Sequence, residues 1–310
     1  MPEELLFEPR AMSLTPRAEF SQPPVAANLP ANLAASPPEP LMRIRPNANW
    51  RAIHLRELWR FRDLTLALAG RDLRLRYKQT VLGAAWVVLQ PLLAAGLFTF
   101  VFGMVAKMPS DGLPYFLFSY AGLLGWNLFF NTLTKTSGCL VGNSHLISKV
   151  FFPRLILPLS TIPSTLVDFA VALAMMGVLM MIYHVKPGAP LALLPVWMLL
   201  LMLLSLGIGL MMAALAVSYR DITYIVPVVL QLLMYASPIA YATSKVPLRF
   251  QTWYNLNPLA PILDAFRWSL LRAGQLSPGF LALAATVSVI VFFVGLYSFQ
   301  AMEKKFADVI

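Results

Sequence analysis

Charge is scarce in this sequence. Of its 310 residues only 12% are Asp, Glu, Lys or Arg, while 58% are hydrophobic. The mean hydropathy is +0.69. A soluble domain carries about a quarter charged residues, so there is too little polar side chain here to cover a water-facing surface. Cysteine is nearly absent. Cys139 stands alone, which excludes a disulfide framework or a cysteine metal cluster within the chain. Histidine is thin as well. His54, His145 and His184 are scattered, with His184 on the opposite membrane side from the other two. A membrane-embedded acyltransferase or glycosyltransferase needs acid or His groups gathered at one face, and none are. Nor is there a G-x-x-x-x-G-K-[ST] sequence. "GNSHLISK" (142–149) has a glycine and a lysine but lacks the second glycine beside the lysine, so no phosphate cradle forms. If the chain's work is driven by ATP, another chain hydrolyses it. No basic segment followed by an apolar core opens the chain, so no cleavable signal peptide is expected.

What is present is apolar length. Uncharged runs cover 81–106, 112–134, 155–185 (broken by Asp168), 187–219, 222–244 and 273–302. A bilayer core needs roughly 20 apolar residues per helix, and all six runs suffice. The reading is an all-α polytopic membrane protein with spans near 84–106, 114–138, 155–183, 191–217, 222–242 and 279–300.

The net charge of +10 suggests nucleic acid at first sight, but its distribution argues for a membrane. With the N-terminus cytoplasmic, 18 of the 24 Lys and Arg fall inside, which sets both termini in the cytoplasm by the positive-inside preference. Much of that excess lies in "RDLRLRYK", residues 71–78. Arg71, Arg74 and Lys78 share a face of a continuing helix, and Arg76 joins them in a collar against the first span. The alternation of Leu73, Leu75 and Tyr77 with charge mimics a strand, but a lone open strand is not tolerated in lipid.

Residues 1–48 hold nine prolines between Pro2 and Pro40 and few large apolar groups, and are expected to be a disordered cytoplasmic tail. Residues 49–80 combine the collar with a preceding amphipathic helix. Leu58, Phe61, Leu64 and Leu68 recur at helical spacing opposite Arg56, Arg60 and Asp63, which suits a helix lying in the interface. Residues 81–305 form the membrane domain. Gln90-Pro91 should kink its first span, because proline removes a helix hydrogen bond. Residues 243–272 are too polar and proline-broken to cross. They read as a re-entrant outer hairpin that dips into the leaflet without spanning.

Four stretches then carry a family likeness: "RDLRLRYKQTVLGAAWVVLQPLL", "LISKVFFPRLILPLS", "SYRDI" and "WYNLNPLAPILDAFRWSLL". Together and in this order they resemble the type-2 ABC exporter permeases, in particular the branch that exports O-antigen, capsule or teichoic acid polymers. The resemblance covers about 56–305. It implies a permease without enzymatic activity or cofactor of its own, working as a homodimer in the bacterial inner membrane. Two copies of a separate ABC ATPase, which holds ATP and Mg, dock beneath. The substrate is a lipid-linked polysaccharide, O-antigen of lipopolysaccharide foremost, with capsule or teichoic acid as alternatives and a small drug or lipid as a further one. A secondary carrier is disfavoured, since no internal repeat is apparent and intramembrane charge is sparse.

By the same resemblance, Ser144 to Phe152 matches the coupling helix. Leu146, Ile147, Val150 and Phe151 can wedge into a cleft, while His145 and Lys149 face the partner. Arg220 and Asp221, in a tight inside turn, suit docking or a cap on the fifth helix. The collar, Arg71, Arg74, Arg76 and Lys78, suits the cytoplasmic entrance, where each basic group gains about 1 kcal/mol near an anionic surface. Asp168 lies near mid-membrane, where an ionisable group is a functional candidate; the alternative is a structural aspartate held by Ser164 or Thr165. Asp264 and Arg267, at i and i+3, can pair and hold a gate. Trp86, Tyr115, Phe118, Tyr235, Trp253 and Tyr254 are candidates for a polymer path, since sugar rings stack on aromatic faces. "GIG" at 207–209 suits close helix contact.

Overall fold

The helix at the centre of the computed structural model is not its most apolar one. The structure describes residues 55–78, 85–274 and 276–309, and among them every regular element is helical. Chain order gives α1 (Leu55–Arg60), α2 (Arg62–Lys78), α3 (Ala85–Phe98), α4 (Tyr115–Gly142), α5 (Ser144–Lys149) and α6 (Ile156–Ile182). There follow α7 (Leu194–Ser218), α8 (Ile222–Tyr235), α9 (Leu248–Leu256), α10 (Leu259–Leu271) and α11 (Pro278–Val309). The expected tail, 1–48, lies outside the described residues.

Helix α4 touches α3, α6, α7, α8 and α10. From Leu117 to Leu140 most of its side chains are buried. It also carries Asn127, Asn131, Thr132, Thr134, Lys135 and Thr136, which its neighbours shield. Among the described residues, four helical stretches are long and apolar enough to cross a membrane: Ala85–Val105, Ile156–Ile182, Ala189–Ser218 and Pro278–Glu303. The first three pack against α4, and the fourth packs against α7. A central helix needs less apolar surface because protein, not lipid, covers it.

The first stretch changes its winding. After Phe98 the chain continues as a π-helix over Thr99–Val105, where Ala106 N–H bonds to Val101 O at 2.9 Å. Pro91 sits inside α3 as expected, but the wide turn farther on was not anticipated.

Helix α8 corrects the expected span at 222–242. It stops at Tyr235 after 14 residues, about 21 Å at 1.5 Å per residue. The reason is Ser237-Pro238: proline pushes its predecessor out of the helical region. The irregular stretch therefore begins near residue 236 rather than 243, and passes through a 3-10 turn at Thr243–Lys245 into α9 and α10.

Glycines bring α7 and α11 together. A Cβ on Gly207 would run into the backbone of Val291 and Phe292, and one on Gly295 into that of Gly207. Only a hydrogen fits at such a crossing.

At the end of the bundle that carries α5, a second apolar cluster joins Leu68, Leu140, Ile147, Phe152, Ile156, Leu210 and Phe299. Leu58, Phe61 and Leu64 pack against it. The apolar stripe of α1–α2 thus lies on protein rather than being left open, while Trp59, Leu66 and Leu75 stay exposed. Burial of such a stripe contributes roughly 25 cal/mol per Å² removed from water.

Candidate functional site

Three groups of polar or exposed side chains stand out on this scaffold. The first is α5 and the strand-like residues after it. Asn143 closes α4, its Nδ2 donating to Cys139 O at 2.9 Å. Ile147 is buried and Leu146 half-buried, while His145 and Lys149 are exposed. Val150 is extended (φ −130°, ψ 134°), and an extended chain sends alternate side chains to opposite sides. Phe151 is accordingly 61% exposed and Phe152 only 3%. The inward anchor is therefore Ile147 with Phe152; Val150 and Phe151 project outward. Arg154 locks this turn. Its Nη1 donates to Ile147 O at 3.0 Å, its guanidinium lies 5.9 Å from the Phe152 ring centre, and its backbone N–H donates to Glu303 Oε1 at 3.1 Å. Burial draws the guanidinium below its ordinary value, and the Glu303 carboxylate opposes that.

The collar divides. Arg71 turns toward the bundle, donating to Asp72 Oδ1 at 3.1 Å and Asn143 Oδ1 at 2.7 Å. Arg74 folds back on its own helix, onto Gly70 O at 3.1 Å, and is exposed. The side chains of Arg76 and Lys78 lie outside the described residues. Arg220 and Asp221 are exposed in the turn between α7 and α8. Asp221 precedes α8 but makes no capping hydrogen bond; Thr223 Oγ1 instead donates to Arg220 O at 2.7 Å.

The second group is an ion pair between α4 and α6. Lys135 Nζ donates to Asp168 Oδ2 at 3.1 Å and to Ser164 Oγ at 3.0 Å. The side chains are 26% and 6% exposed. Asp168 thus has a cation as partner, which was not anticipated. Ser164 joins through the same lysine, and Thr165 bonds back to Thr161 O at 3.0 Å instead. The signal lay in Lys135 itself, a cation within the expected second span of 114–138.

The third group surrounds Arg267. Its guanidinium is fully buried, 3.7 Å from Asp264 Oδ1 and 3.9 Å above the Phe118 ring. It also donates to Pro238 O and Ile239 O. Tyr115 Oη donates to Ala240 O. Three consecutive carbonyls after α8 are thereby held by α4 and α10. Gly122 makes room, since a Cβ there would come within 2.6 Å of the guanidinium. Phe118, expected along an open path, is instead enclosed beneath Arg267. Tyr254 is half-buried, its ring 6.1 Å from that of Tyr241, whereas Trp86, Tyr235 and Trp253 are exposed.

Comparison with known proteins decides the family. The profile of the ABC-2 type transporters matches residues 63–271, taking in every group just described except Glu303. The chain belongs to the ABC-2 type transporter family. This transporter is a multi-pass membrane protein. It is 30% identical over 258 residues to the O-antigen export system permease protein RfbA of Myxococcus xanthus, covering 82% of this chain and 98% of that relative. It is 27% identical over 253 residues to the RfbA protein of Klebsiella pneumoniae, covering 80% and 95%. The polysialic acid transport protein KpsM of Escherichia coli is 26% identical over 249 residues, covering 77% and 93%. Membership makes the chain a membrane subunit of a transport system.

Proposed function

We propose that this chain is the membrane-spanning permease of an ATP-driven exporter of lipid-linked polysaccharide, O-antigen foremost. The observation that carries this reading is near full-length similarity to O-antigen export permeases, which reaches 98% of the relative from Myxococcus xanthus. Similarity to KpsM supports capsular polysaccharide as the second reading.

In this reading α3 with its π-helix, α4, α6, α7 and α11 each cross the bacterial inner membrane, and α8 makes the sixth crossing together with the irregular stretch that follows it. Both termini are cytoplasmic, as the basic collar favours. Helices α1 and α2 lie at the inner surface, and α9–α10 form the re-entrant outer hairpin. Two copies pair to enclose the route. Leu93 and Leu97 on α3 and Phe100 on the π-helix, with Val228, Leu232 and Tyr235 on α8, are exposed apolar side chains available to lipid and to a second copy. Of the aromatics, Trp86, Tyr235 and Trp253 remain free to meet polymer.

Two ATPase subunits dock at α5. Phe151 and Val150 supply the apolar knob, His145 and Lys149 the polar rim, with Arg220 and Asp221 at the neighbouring turn. Arg74 stands outward where an anionic carrier or lipid surface arrives. The Asp264–Arg267 pair, holding the carbonyls after α8, serves as an outer gate.

Phe151→Asp tests the docking. The knob is already exposed, so the variant should accumulate normally in the membrane but lose the co-purifying ATPase and surface polymer. Unchanged ATPase recovery on a tagged Phe151→Asp chain would remove α5 from the docking role.

A further inference from the structure

Beside the ion pair the bundle holds a cavity whose chemistry the export reading has not used. It lies between α3, α4 and α6, and its volume is about 280 Å³. Gln90, Asn127, Asn131 and Asp168 line it together with Trp126 and Phe130. Asn127 and Asn131 stand at i and i+4 on α4, so both amides project from one face. Lys135 continues that face and reaches Asp168.

The three carboxamides have no hydrogen-bond partner among the described residues. In a hydrocarbon setting an unsatisfied amide costs a few kcal/mol, and polar side chains at such depth face a wet or functional cavity. Asn127 and Asn131 are half-buried and Gln90 is exposed, so three open amides line one space, which suits a ligand with many hydrogen-bonding groups. A metal cation does not fit, because the only carboxylate in the cavity lining is already paired with Lys135. An acyl chain does not fit either, since it leaves the amides unpaired.

A carboxamide both donates and accepts, and so does every sugar hydroxyl. Phe130 is half-buried and adds aromatic surface for the C–H face of a ring, backed by the buried Trp126 with ring centres 6.3 Å apart. We propose that this cavity is a saccharide subsite within each protomer, taking one pyranose ring of the polymer. The proposal rests on the polysaccharide reading and deepens it. The Lys135–Asp168 pair forms the floor of the subsite. Beyond it, a second polar cavity of about 340 Å³ is lined by Asp72, Asn143, Lys135 and Ser164, so the pair separates the subsite from the α5 end.

The test places a diazirine photo-crosslinking residue at position 234 of the full chain, where Met234 lines the cavity without contributing an amide, in its own cells with the export system intact. Irradiation should yield an adduct that reacts with antiserum against the surface polymer. The same residue at position 293, exposed on α11, should yield none. Asn131→Leu should lower the adduct at least tenfold at equal membrane abundance, while Asn131→Gln should keep it. If export depends on the chain yet position 234 gives no carbohydrate adduct, the cavity holds only water and the subsite is overturned while the exporter reading stands. An adduct indifferent to Asn131→Leu overturns recognition by the amides. If deleting the chain leaves surface polysaccharide unchanged, the exporter reading falls and the subsite falls with it.

Discussion

Replacing Lys135 with Met should destabilise this protein far more than replacing Lys135 and Asp168 together. The Lys135 ammonium lies 3.1 Å from an Asp168 carboxylate whose side chain is 6% exposed. Met fills the volume of the lysine stem but takes the ammonium away from that carboxylate. Removing one partner of a buried pair costs about 3–5 kcal/mol, because the remaining charge keeps its desolvation penalty. Lys135 is 26% exposed, so screening favours the lower end, about 3 kcal/mol or roughly a hundredfold in the folding equilibrium. Asp168→Leu should cost less, about 2 kcal/mol, since the freed ammonium can extend along its stem toward water. The double variant removes both charges and leaves Ser164 bonded to Thr161 O. It should fall within about 1 kcal/mol of the parent. The assay is a double-mutant cycle on reversible denaturant unfolding of the purified chain in micelles. The expected coupling is about 4 kcal/mol. Additivity within about 0.5 kcal/mol would show that the two side chains do not act as a pair and would refute the reasoning.

Two further outcomes follow from the packing. Arg267→Met strands the Asp264 carboxylate and frees the carbonyls of Pro238 and Ile239, and should cost about 3–5 kcal/mol in the same unfolding assay. Arg267→Lys should not restore stability, because an ammonium lacks the planar fork that turns Nη2 to both carbonyls and Nη1 to Asp264 while stacking on Phe118; a Lys variant as stable as the parent would count against the clamp. Gly207→Ala should cost about 1–3 kcal/mol by forcing α7 from α11. Gly177→Ala, where a Cβ meets nothing within 4 Å, should be neutral or slightly stabilising through helix propensity. Equal effects at the two glycines would refute the close crossing.

Apolar length made the helical membrane architecture legible, because six uncharged runs leave few other folds. The same measure misjudged single helices. The end of α8 was hidden because Ser237-Pro238 sits within an otherwise apolar run, so hydropathy continued where the backbone stopped. The π-helix left no mark, since apolar residues look alike at either winding. The Asp264–Arg267 pair was visible because its spacing is local. The Lys135–Asp168 pair was not, because it joins two helices through a register that only packing sets. Phe151 and Phe152 show the limit most sharply. They are chemically identical neighbours, and only the extended backbone at Val150 sorts one inward and one outward.

The contact between Arg154 and Glu303 also divides mechanical load. Anything that pushes on α5 meets a turn joined to α6 by the chain itself and to α11 by a hydrogen bond from Arg154. A displacement is thus shared between an early and a late helix, and α11 is welded to α7 at Gly207 and Gly295. The turn is therefore a yoke rather than a lever with one arm, tied to α6 through the chain and to α11, and through α11 to α7, by contacts far apart in sequence.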